Sequence, residues 1–477
     1  MHLSRRHFLS GCAAFGAAAS FSPVPTLAAT PQRKLIVGRR TIEVLGRPAE
    51  VYGLTGSDGR SGLVLDPDER FSVALENTLG EETSIHWHGM TPAPDLDGIS
   101  ETGYVARLGA GETRAFDFVA RPGTHWMHSH HGLQEQSLLT APLIVREDAS
   151  ADAQEVTLLL NDFSFTSPEE ILEGLTGMSG MDHGNMGGMD HGDMGGMSMG
   201  DMSMMDMMGG MDLNDVEYDA FLANDRTLDD PEVVRTERNG RVRLRIINGA
   251  ASTAFWIDLD GREARVVAVD GNPVVSVAGS RFPLAQGQRI DLMIEVAAGA
   301  VVPVFARREG DVARTGIILA APDATIEKYA GVAGEAEVAI NLSLEEKLSA
   351  ITPLDARSSD ASHMVMLGGA MAPYSWTLNN RSWSEREKLQ VAEGQRVSLG
   401  FMNHSMMAHP MHLHGHHFQV VGINGRRLSG AMRDTVLVPP MGTVVVEFDA
   451  DNPGRWLYHC HNLYHMAAGM MSEVVYA

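Results

Sequence analysis

Basic residues are scarce in this sequence. Over 477 residues, 37 Lys and Arg stand against 61 Asp and Glu, which gives a formal net charge of -24 at pH 7. So acidic a chain is a poor partner for nucleic acid and for anionic membrane surfaces, because like charges repel. The charge would raise the local concentration of cations, including metal ions. Solubility alone is the simpler explanation, so charge by itself assigns no function.

Cysteine is nearly absent, with only Cys12 and Cys460 in the chain. Cys12 falls in an N-terminal segment, 1–29, that combines two adjacent arginines with an Ala/Gly-rich apolar run, as a twin-arginine export signal does. Cleavage after Ala28 or Ala29 would leave Cys460 alone, so no intramolecular disulfide could form, even in an oxidising compartment. A role as metal ligand explains a lone thiol in an exported protein better than packing does.

The same segment sets the expected location. We expect export by the twin-arginine machinery to the periplasm. The apolar run is too short and too early in the chain for a membrane anchor, and none is expected. Residues 9–12 resemble a lipoprotein cleavage box, which would lipidate Cys12, but almost no apolar run separates this box from the arginines. Export without lipidation is therefore the favoured interpretation.

Long runs of helical periodicity are also lacking. Short β-rich runs bounded by Gly, Pro, Asn and Asp take their place, and many short strands at this spacing predict an all-β chain of β-sandwiches. The length suits two or three domains. After the signal, domains are predicted at 30–148, 149–332 and 333–477. Strands are predicted at 64–77, 113–119, 141–145, 156–160, 241–247, 255–259, 264–269, 289–296, 315–320, 397–401, 418–423 and 443–448.

The most informative stretch places Cys460 between His459 and His461, with His465 and Met470 downstream. With one more His from elsewhere, Cys460, His465 and a weak axial Met470 form the ligand set of a blue-copper electron-transfer site. Because neighbouring side chains of a strand point to opposite faces, His459 and His461 would face away from Cys460 and could bind a second metal centre. Electrons would then pass between the centres through a few covalent bonds.

His-X-His pairs occur four times. They are His86 and His88, His128 and His130, His412 and His414, and His459 and His461. The period-two spacing lets one strand offer two imidazoles on one face. Two pairs fall in the first predicted domain and two in the third, so a shared metal site has to lie where these domains meet. Scattered core and surface histidines are the alternative, but four such pairs, one of them around a cysteine, are hard to obtain by chance.

A segment at 178–211 holds thirteen Met among Gly and Asp, with two His. With so little branched or aromatic bulk it cannot form a core, so we expect a flexible surface insert in the second domain. Neutral low-complexity filler is one interpretation. Capture of Cu(I) is favoured, because thioethers are soft ligands. The candidate ligands are Met178, Met181, His183, Met186, Met189, His191, Met194, Met197, Met199, Met202, Met204, Met205, Met207, Met208 and Met211.

With these motifs placed, the chain resembles the three-domain multicopper oxidases, and among them the bacterial periplasmic copper-resistance oxidases. The resemblance rests on four motifs, at 86–89, 125–130, 409–415 and 459–470, and weaker similarity extends it over nearly all of 35–477. It implies three cupredoxin-like Greek-key β-sandwich domains. It also implies four copper ions, one type 1, one type 2 and two type 3, in an oxidoreductase that couples one-electron oxidation of a substrate to four-electron reduction of O2 to water.

The resemblance also implies a ligand set, and it argues against copper-free relatives because every ligand position of the family is filled. The type 1 ligands would be His409, Cys460, His465 and Met470. The type 2 ligands would be His86 and His412. The type 3 ligands would be His88, His128, His130, His414, His459 and His461.

Three further positions bear on the chemistry. Asp97 stands where the family has an acidic residue near the cluster and would relay protons, although a surface turn also explains an Asp-Gly pair. Asp434 stands where related cuprous oxidases have an acidic residue near the substrate copper, and is the candidate for substrate contact; a turn carboxylate is the alternative. Several relatives have Glu where this chain has Met466, so the proton donor on that side is unassigned.

Five histidines flank the motifs without fitting a ligand position, and we expect them to hydrogen-bond the ligands or to lie on the surface. They are His125, His131, His404, His416 and His417.

The favoured function is oxidation of Cu(I) in copper tolerance, with phenols as side substrates. A general laccase, for which the Met-rich segment is incidental, is one alternative. A copper sequestration protein is another, but storage needs no O2-reducing cluster. Nothing in the sequence requires more than a monomer.

Overall fold

The computed structural model describes residues 32–147, 152–177, 213–237 and 240–477. The predicted signal, 1–29, and the Met-rich segment, 178–211, lie outside these residues. Within them the strands form six sheets, two for each successive stretch of chain.

The first sheet pair uses residues 33–145, with strand orders β2-β1-β4-β6 and β3-β8-β7-β5. Its strands are β1 Arg33–Val44, β2 Arg47–Gly56, β3 Leu63–Leu65, β4 Arg70–Asn77, β5 Ile85–His88, β6 Thr113–Val119, β7 Gly123–Ser129 and β8 Thr140–Val145. A 3-10 turn at Pro94–Leu96 follows β5.

The second pair has the orders β10-β9-β12-β17-β14-β15 and β11-β19-β18-β13-β16. Its strands are β9 Gln154–Phe163, β10 Ala220–Ala223, β11 Val233–Arg235, β12 Gly240–Asn248, β13 Phe255–Asp258, β14 Ala264–Val269, β15 Asn272–Gly279, β16 Arg281–Leu284, β17 Arg289–Val296, β18 Val301–Arg308 and β19 Arg314–Ala320. Helix α1, Pro168–Gly177, follows β9, and a 3-10 turn lies at Glu345–Lys347.

The third pair has the orders β21-β20-β23-β29-β25-β26, with β27 beside β25, and β22-β31-β30-β24-β28. Its strands are β20 Ala361–Met371, β21 Tyr374–Leu378, β22 Leu389–Val391, β23 Arg396–Asn403, β24 His409–Leu413, β25 Phe418–Ile423, β26 Arg426–Arg427, β27 Met432–Arg433, β28 Thr435–Val438, β29 Thr443–Asp449, β30 Arg455–Cys460 and β31 Met471–Tyr476. A 3-10 turn lies at Trp383–Glu385, and helix α2, Leu463–Ala467, joins β30 to β31.

One topology occurs three times. In each pair, the first sheet begins with two antiparallel strands, and the earlier of the two in the chain runs parallel to the next strand of the sheet, as β1 does to β4, β9 to β12 and β20 to β23. In each second sheet the edge strand is parallel to its neighbour and the following pairs are antiparallel. The chain thus repeats one sandwich plan, and strands at equivalent positions can be compared.

Alternation of apolar residues along β29 buries one of its two faces. In β29, Val444, Val446 and Phe448 are fully buried, whereas the residues between them are partly exposed. Burial of a side chain of this size stabilises the fold by about 1.5–3 kcal/mol. The period of two in the sequence therefore becomes the inner face of a sandwich.

Two parts of the strand prediction need correction. The single strand predicted at 64–77 is two strands, β3 and β4, because the chain turns between them: Glu69 N–H donates to the Asp66 carbonyl, and Asp68 has φ of 61°. The predicted ranges also omit many of the described strands, among them the long hairpin of β1 and β2. Its turn places Leu45 and Gly46 at φ of 52° and 73°, a left-handed pair for which Leu is an unusual residue. In the described part of the chain, none of the helices could span a membrane.

Candidate metal centres

The histidine pairs lie on equivalent strands of the first and third sheet pairs. His86 on β5 is opposite His128 on β7, and His412 on β24 is opposite His459 on β30. In the second sheet pair, β13 and β18 occupy the corresponding positions and contain no His. Two of three copies of one topology therefore carry the ligands, and the copy between them does not.

One cluster joins His409, Cys460 and His465, all of them buried. His409 begins β24, Cys460 ends β30 and His465 lies on α2. Cys460 Sγ is 3.6 Å from Nδ1 of each imidazole, and the two Nδ1 atoms are 3.1 Å apart. Met470 is fully buried, and its carbonyl accepts a hydrogen bond of 3.1 Å from Cys460 N–H. The four residues expected at the type 1 site therefore lie together.

The outer nitrogens of this cluster have polar partners. Nε2 of His409 is 2.7 Å from Ser405 Oγ, and Nε2 of His465 is 3.1 Å from Asp215 Oδ2. Asn462 donates to the same Asp215 oxygen at 2.7 Å, and its side-chain oxygen caps the start of α2. Because Nε2–H donates in these contacts, Nδ1 of each ring presents a lone pair to Sγ.

A second cluster joins His130, His414 and His459. Nε2 of His459 is 3.1 Å from Nε2 of His414 and 3.5 Å from Nε2 of His130. The opposite nitrogens donate elsewhere, His414 Nδ1 to Asp97 at 3.0 Å and His459 Nδ1 to the Cys460 carbonyl at 2.9 Å. The three Nε2 atoms therefore converge, and those of His414 and His459 present lone pairs.

A third cluster joins His88, His128 and His461. Asp434 Oδ1 lies 3.1 Å from His88 Nε2, and Glu135 Oε2 lies 2.7 Å from His128 Nδ1. Within the described residues, Nδ1 of His88 and Nε2 of His128 and His461 are buried without a hydrogen-bond partner. Unpaired buried polar atoms of this kind are costly unless another group satisfies them.

His86 and His412 form a further pair, with their Nε2 atoms 3.4 Å apart. Asp97 Oδ1 lies 3.3 Å from His86 Nδ1, and the Asp434 carbonyl accepts a hydrogen bond of 2.9 Å from His412 Nδ1. Through its other oxygen Asp97 also holds His414. One carboxylate thus orients imidazoles of two neighbouring groups.

Cys460 joins the first cluster to the second and third. Its Sγ faces His409 and His465, whereas the rings on either side of it, His459 and His461, belong to the other two clusters. This is the alternation expected for neighbouring side chains of a strand. Neighbouring residues in the sequence therefore belong to different clusters.

Burial governs the charge of these groups. It lowers the pKa of His88, His409 and His459 well below the ordinary value, and the neighbouring cations and imidazoles lower it further. The rings are then neutral and able to act as ligands. Burial also raises the pKa of the Cys460 thiol, so a thiolate there needs a cation beside it. Two imidazoles, a thiolate and a thioether in the first cluster, and imidazoles in the others, are a donor set that fits copper.

Asp97 is not a surface turn, since it is 1% exposed. Burial opposes ionisation of its carboxyl, but His86 and His414 together lower its pKa well below the ordinary value. Gly98, at φ of 87°, is packed so closely on the Ile85 carbonyl that a side chain would not fit. The Asp-Gly pair is therefore part of the site.

The structure corrects the substrate-contact role expected for Asp434. Its carboxylate accepts hydrogen bonds of 2.7 and 2.5 Å from the buried Arg289 guanidinium and also contacts His88. It is 1% exposed and lies with the third cluster. A side chain held there is not available to a reductant at His409 or His465.

Several polar partners of the histidines were not found by sequence reasoning. Glu135 could have been suspected, because the run Gln134-Glu135-Gln136 follows a histidine pair closely. Asp215 has no such signal, since 250 residues separate it from His465. The remaining partners are Ser405 and Glu101, whose Oε2 lies 3.7 Å from His130 Nδ1.

The five flanking histidines differ in environment. His416 is buried with Nε2 2.6 Å from the Tyr476 hydroxyl. His417 is 2.8 Å from the Asn272 amide and donates to a backbone carbonyl through Nε2. His125 is buried as well, His131 is partly exposed and His404 is exposed. None belongs to the clusters found among the described residues.

Comparisons with known proteins agree with this geometry. Three models of multicopper oxidase domains match residues 37–150, 196–308 and 355–477. A multicopper oxidase of Mycobacterium tuberculosis, MmcO, is 35% identical over 418 residues, which cover 85% of this chain and 79% of that protein. This chain belongs to the multicopper oxidase family. Copper resistance protein A of Escherichia coli is 26% identical over 99% of the chain and 98% of its own length.

Solved structures of this family share the fold. The multicopper oxidase Fet3p, which functions in iron import, has a TM-score of 0.74 at 16% identity over 93% of this chain and 90% of its own. A Botrytis aclada laccase structure has a TM-score of 0.72 at 22% identity over 94% and 88%. The expected all-β fold of three cupredoxin-like sandwiches is confirmed, as are copper as cofactor and oxidoreductase activity of the multicopper oxidase class. The exact domain boundaries stay predictions.

Proposed function

We propose that this multicopper oxidase oxidises Cu(I) in the periplasm and so contributes to copper tolerance. The observation that carries this proposal is where the Met-rich segment is attached. Before it, α1 ends at Gly177 and packs against β21. After it, Asp215 contacts His465 at 3.1 Å. On β21, Trp376 packs on the same imidazole, with ring centroids 4.1 Å apart. The described residues that flank the segment thus contact His465 or the strand that packs on it, and the segment itself carries thirteen soft thioethers.

The ligand roles follow from the clusters. The first, with Met470, would hold type 1 copper. The second and third would hold the two type 3 coppers, and His86 with His412 would hold type 2. When bound, these ions supply the one-electron chemistry that takes O2 to two waters with four electrons and four protons. The residue-by-residue assignment rests on the donor atoms and their convergence.

The protein's own residues have three tasks in this scheme. Cys460 covalently links the substrate-side cluster to His459 and His461. Asp97 holds His86 and His414 and is positioned to pass protons toward the histidine clusters. Asp215 places a carboxylate against His465, which suits a cationic reductant better than a neutral one. The Asp215 side chain is itself buried, so it acts through its charge and its contact with His465 and does not touch the reductant.

Location and copper tolerance are inferred from the N-terminal sequence and from the relatives. The predicted twin-arginine signal at 1–29 supports export to the periplasm. Relatives named copper resistance protein A match the chain over 92% to 99% of its length, which supports a role in tolerance. We propose that the protein acts as a monomer.

The test is Cu(I)-dependent O2 uptake by the copper-loaded protein. We expect four Cu(I) oxidised per O2 consumed, without peroxide. A matched variant with the thirteen Met of 178–211 replaced by Leu should oxidise Cu(I) at least about tenfold more slowly, because the soft ligands are gone, and should oxidise phenols as well as the unaltered protein does. If the variant lost both activities to the same extent, or kept both, a general laccase would be favoured. No O2 uptake with any reductant would favour sequestration.

A further inference from the structure

Methionines are concentrated on the third sheet pair outside the Met-rich segment. Among the described residues the exposed methionines are Met364, Met371, Met406 and Met441. All of them lie in the part of the chain that builds the third pair. Methionine is among the residues most often fully buried, so exposed thioethers confined to one of three similar sandwiches call for a physical explanation.

Met364, Met366 and Met402 share the outer face of one sheet. On β20, Val365 and Leu367 are fully buried, so Met364 and Met366 point the other way. On β23, Met402 is partly exposed between two buried residues. β20 and β23 are parallel neighbours, and Met366 is the register partner of Met402. Their backbones are therefore one strand spacing apart, about 4.8 Å.

A glycine leaves room for the third thioether. Gly400 is the register partner of Met364, and the Met364 Sδ lies where a side chain on Gly400 would be, 2.7 Å from the position of its Cβ. Met364 thus lies across β23, two residues from Met402 on the same face. Side chains at such diagonal positions are within reach of each other when they are long and flexible.

We propose that Met364, Met366 and Met402 form a Cu(I)-binding site on the outer face of the third sandwich. Three thioethers without a carboxylate or imidazole among them select a soft monovalent ion over Cu(II) or Zn²⁺. The excess of acidic residues in the chain favours approach of any cation. Residues 404–408 connect the end of β23 to His409. Along the chain, only this short connection separates the proposed site from the type 1 cluster. The choice of Cu(I) as the natural ion rests on the proposed function.

The test uses Ag(I), a soft monovalent ion that the oxidase cannot oxidise. Ag(I) bound per copper-loaded protein is counted by mass spectrometry in the presence of a fixed competing thioether ligand. The triple variant M364L, M366L, M402L should bind one Ag(I) fewer than the unaltered protein. M293L is the matched control: Met293 is partly exposed on β17, but its register partners are Arg243 and Arg265, so neither neighbouring strand places a thioether opposite it. It should bind the full number.

An unchanged count in the triple variant would overturn the proposal. If that variant loses its visible copper spectrum, the single variants M366L and M402L replace it, and each should weaken the binding of the last Ag(I) at least about tenfold; unchanged binding in both would again overturn it. Ag(I) counting requires no turnover. If the unaltered protein failed to oxidise Cu(I) but the triple variant still bound one Ag(I) fewer, only the proposed function would be contradicted. If the protein oxidised Cu(I) but the Ag(I) count did not change in the variant, only this site would be contradicted.

Discussion

At the residue scale, the function depends on a few polar atoms that decide which nitrogen of each imidazole is free. Carboxylates, a hydroxyl and backbone carbonyls occupy the outer nitrogens, as Asp97 does for His86 and His414. Each contact fixes a tautomer before any metal binds. Substitutions at these partners test the site without removing a ligand.

Replacing Asp215 by Asn should impair electron entry. The change keeps the shape but removes the charge that faces His465 at 3.1 Å. We expect KM for Cu(I) to rise about tenfold, the scale of effect seen for partners of metal-bound histidines, and the type 1 reduction potential to rise because the oxidised site loses a stabilising anion. Ser405→Ala is the matched control, since it removes a neutral partner of His409. A larger effect of Ser405→Ala than of Asp215→Asn on KM would contradict this account.

Replacing Asp97 by Asn should slow the reduction of O2 and leave electron entry intact. Asn can accept a hydrogen bond from only one of the two Nδ1–H groups that Asp97 now holds. We expect turnover to fall about 10–100-fold. Anaerobic reduction of the blue band, followed by stopped flow, should keep its rate. Full turnover in the variant would rule out the relay.

At the element scale, equivalent strands of a repeated topology carry different chemistry. β5 and β24 occupy matching positions and carry histidine ligands. The corresponding strand of the second pair, β13 at Phe255–Asp258, contains no histidine. The His-X-His pairs predicted this division correctly, because ligand spacing is local in sequence. Other features could not be predicted. Asp215 reaches His465 from another sandwich, and nothing near either residue in sequence encodes that contact.

The buried carboxyl of Glu309, directly after β18, should make the stability of the fold depend on pH. Glu309 accepts a hydrogen bond of 2.8 Å from Ile340 N–H, and burial raises its pKa from 4.5 to about 7. Between these values the folded protein keeps a proton that the unfolded chain releases, so stability falls as pH rises from about 4.5 to 7.

Glu309→Gln should remove this dependence, because Gln accepts the same bond and cannot ionise. Relative to the unaltered protein, the variant should gain up to about 3 kcal/mol of unfolding free energy between pH 4.5 and pH 8. Thermal unfolding at both pH values measures the difference. A constant offset between the two proteins at all pH values would contradict the assigned pKa.

At the scale of the whole molecule, the histidine clusters join the first and third sandwiches. In the third cluster, His88 and His128 come from the first sandwich and His461 from the third, whereas the second cluster takes one histidine from the first sandwich and two from the third. The sequence allowed this arrangement to be predicted, because the ligand pairs fall at the two ends of the chain. It could not divide the six type 3 candidates into two groups of three, since that depends on how the sandwiches pack.

The central claim is that Cys460 couples one blue site to a three-copper cluster. Copper quantification on the purified protein, with visible and electron paramagnetic resonance spectra, tests it most directly, and Cys460→Ser is the matched variant. We predict four coppers, a blue thiolate band, a near-ultraviolet type 3 shoulder and both type 1 and type 2 signals; the variant should hold three coppers, without the blue band and type 1 signal. A blue band that survives in Cys460→Ser, or a native protein that binds a single copper, would contradict the account.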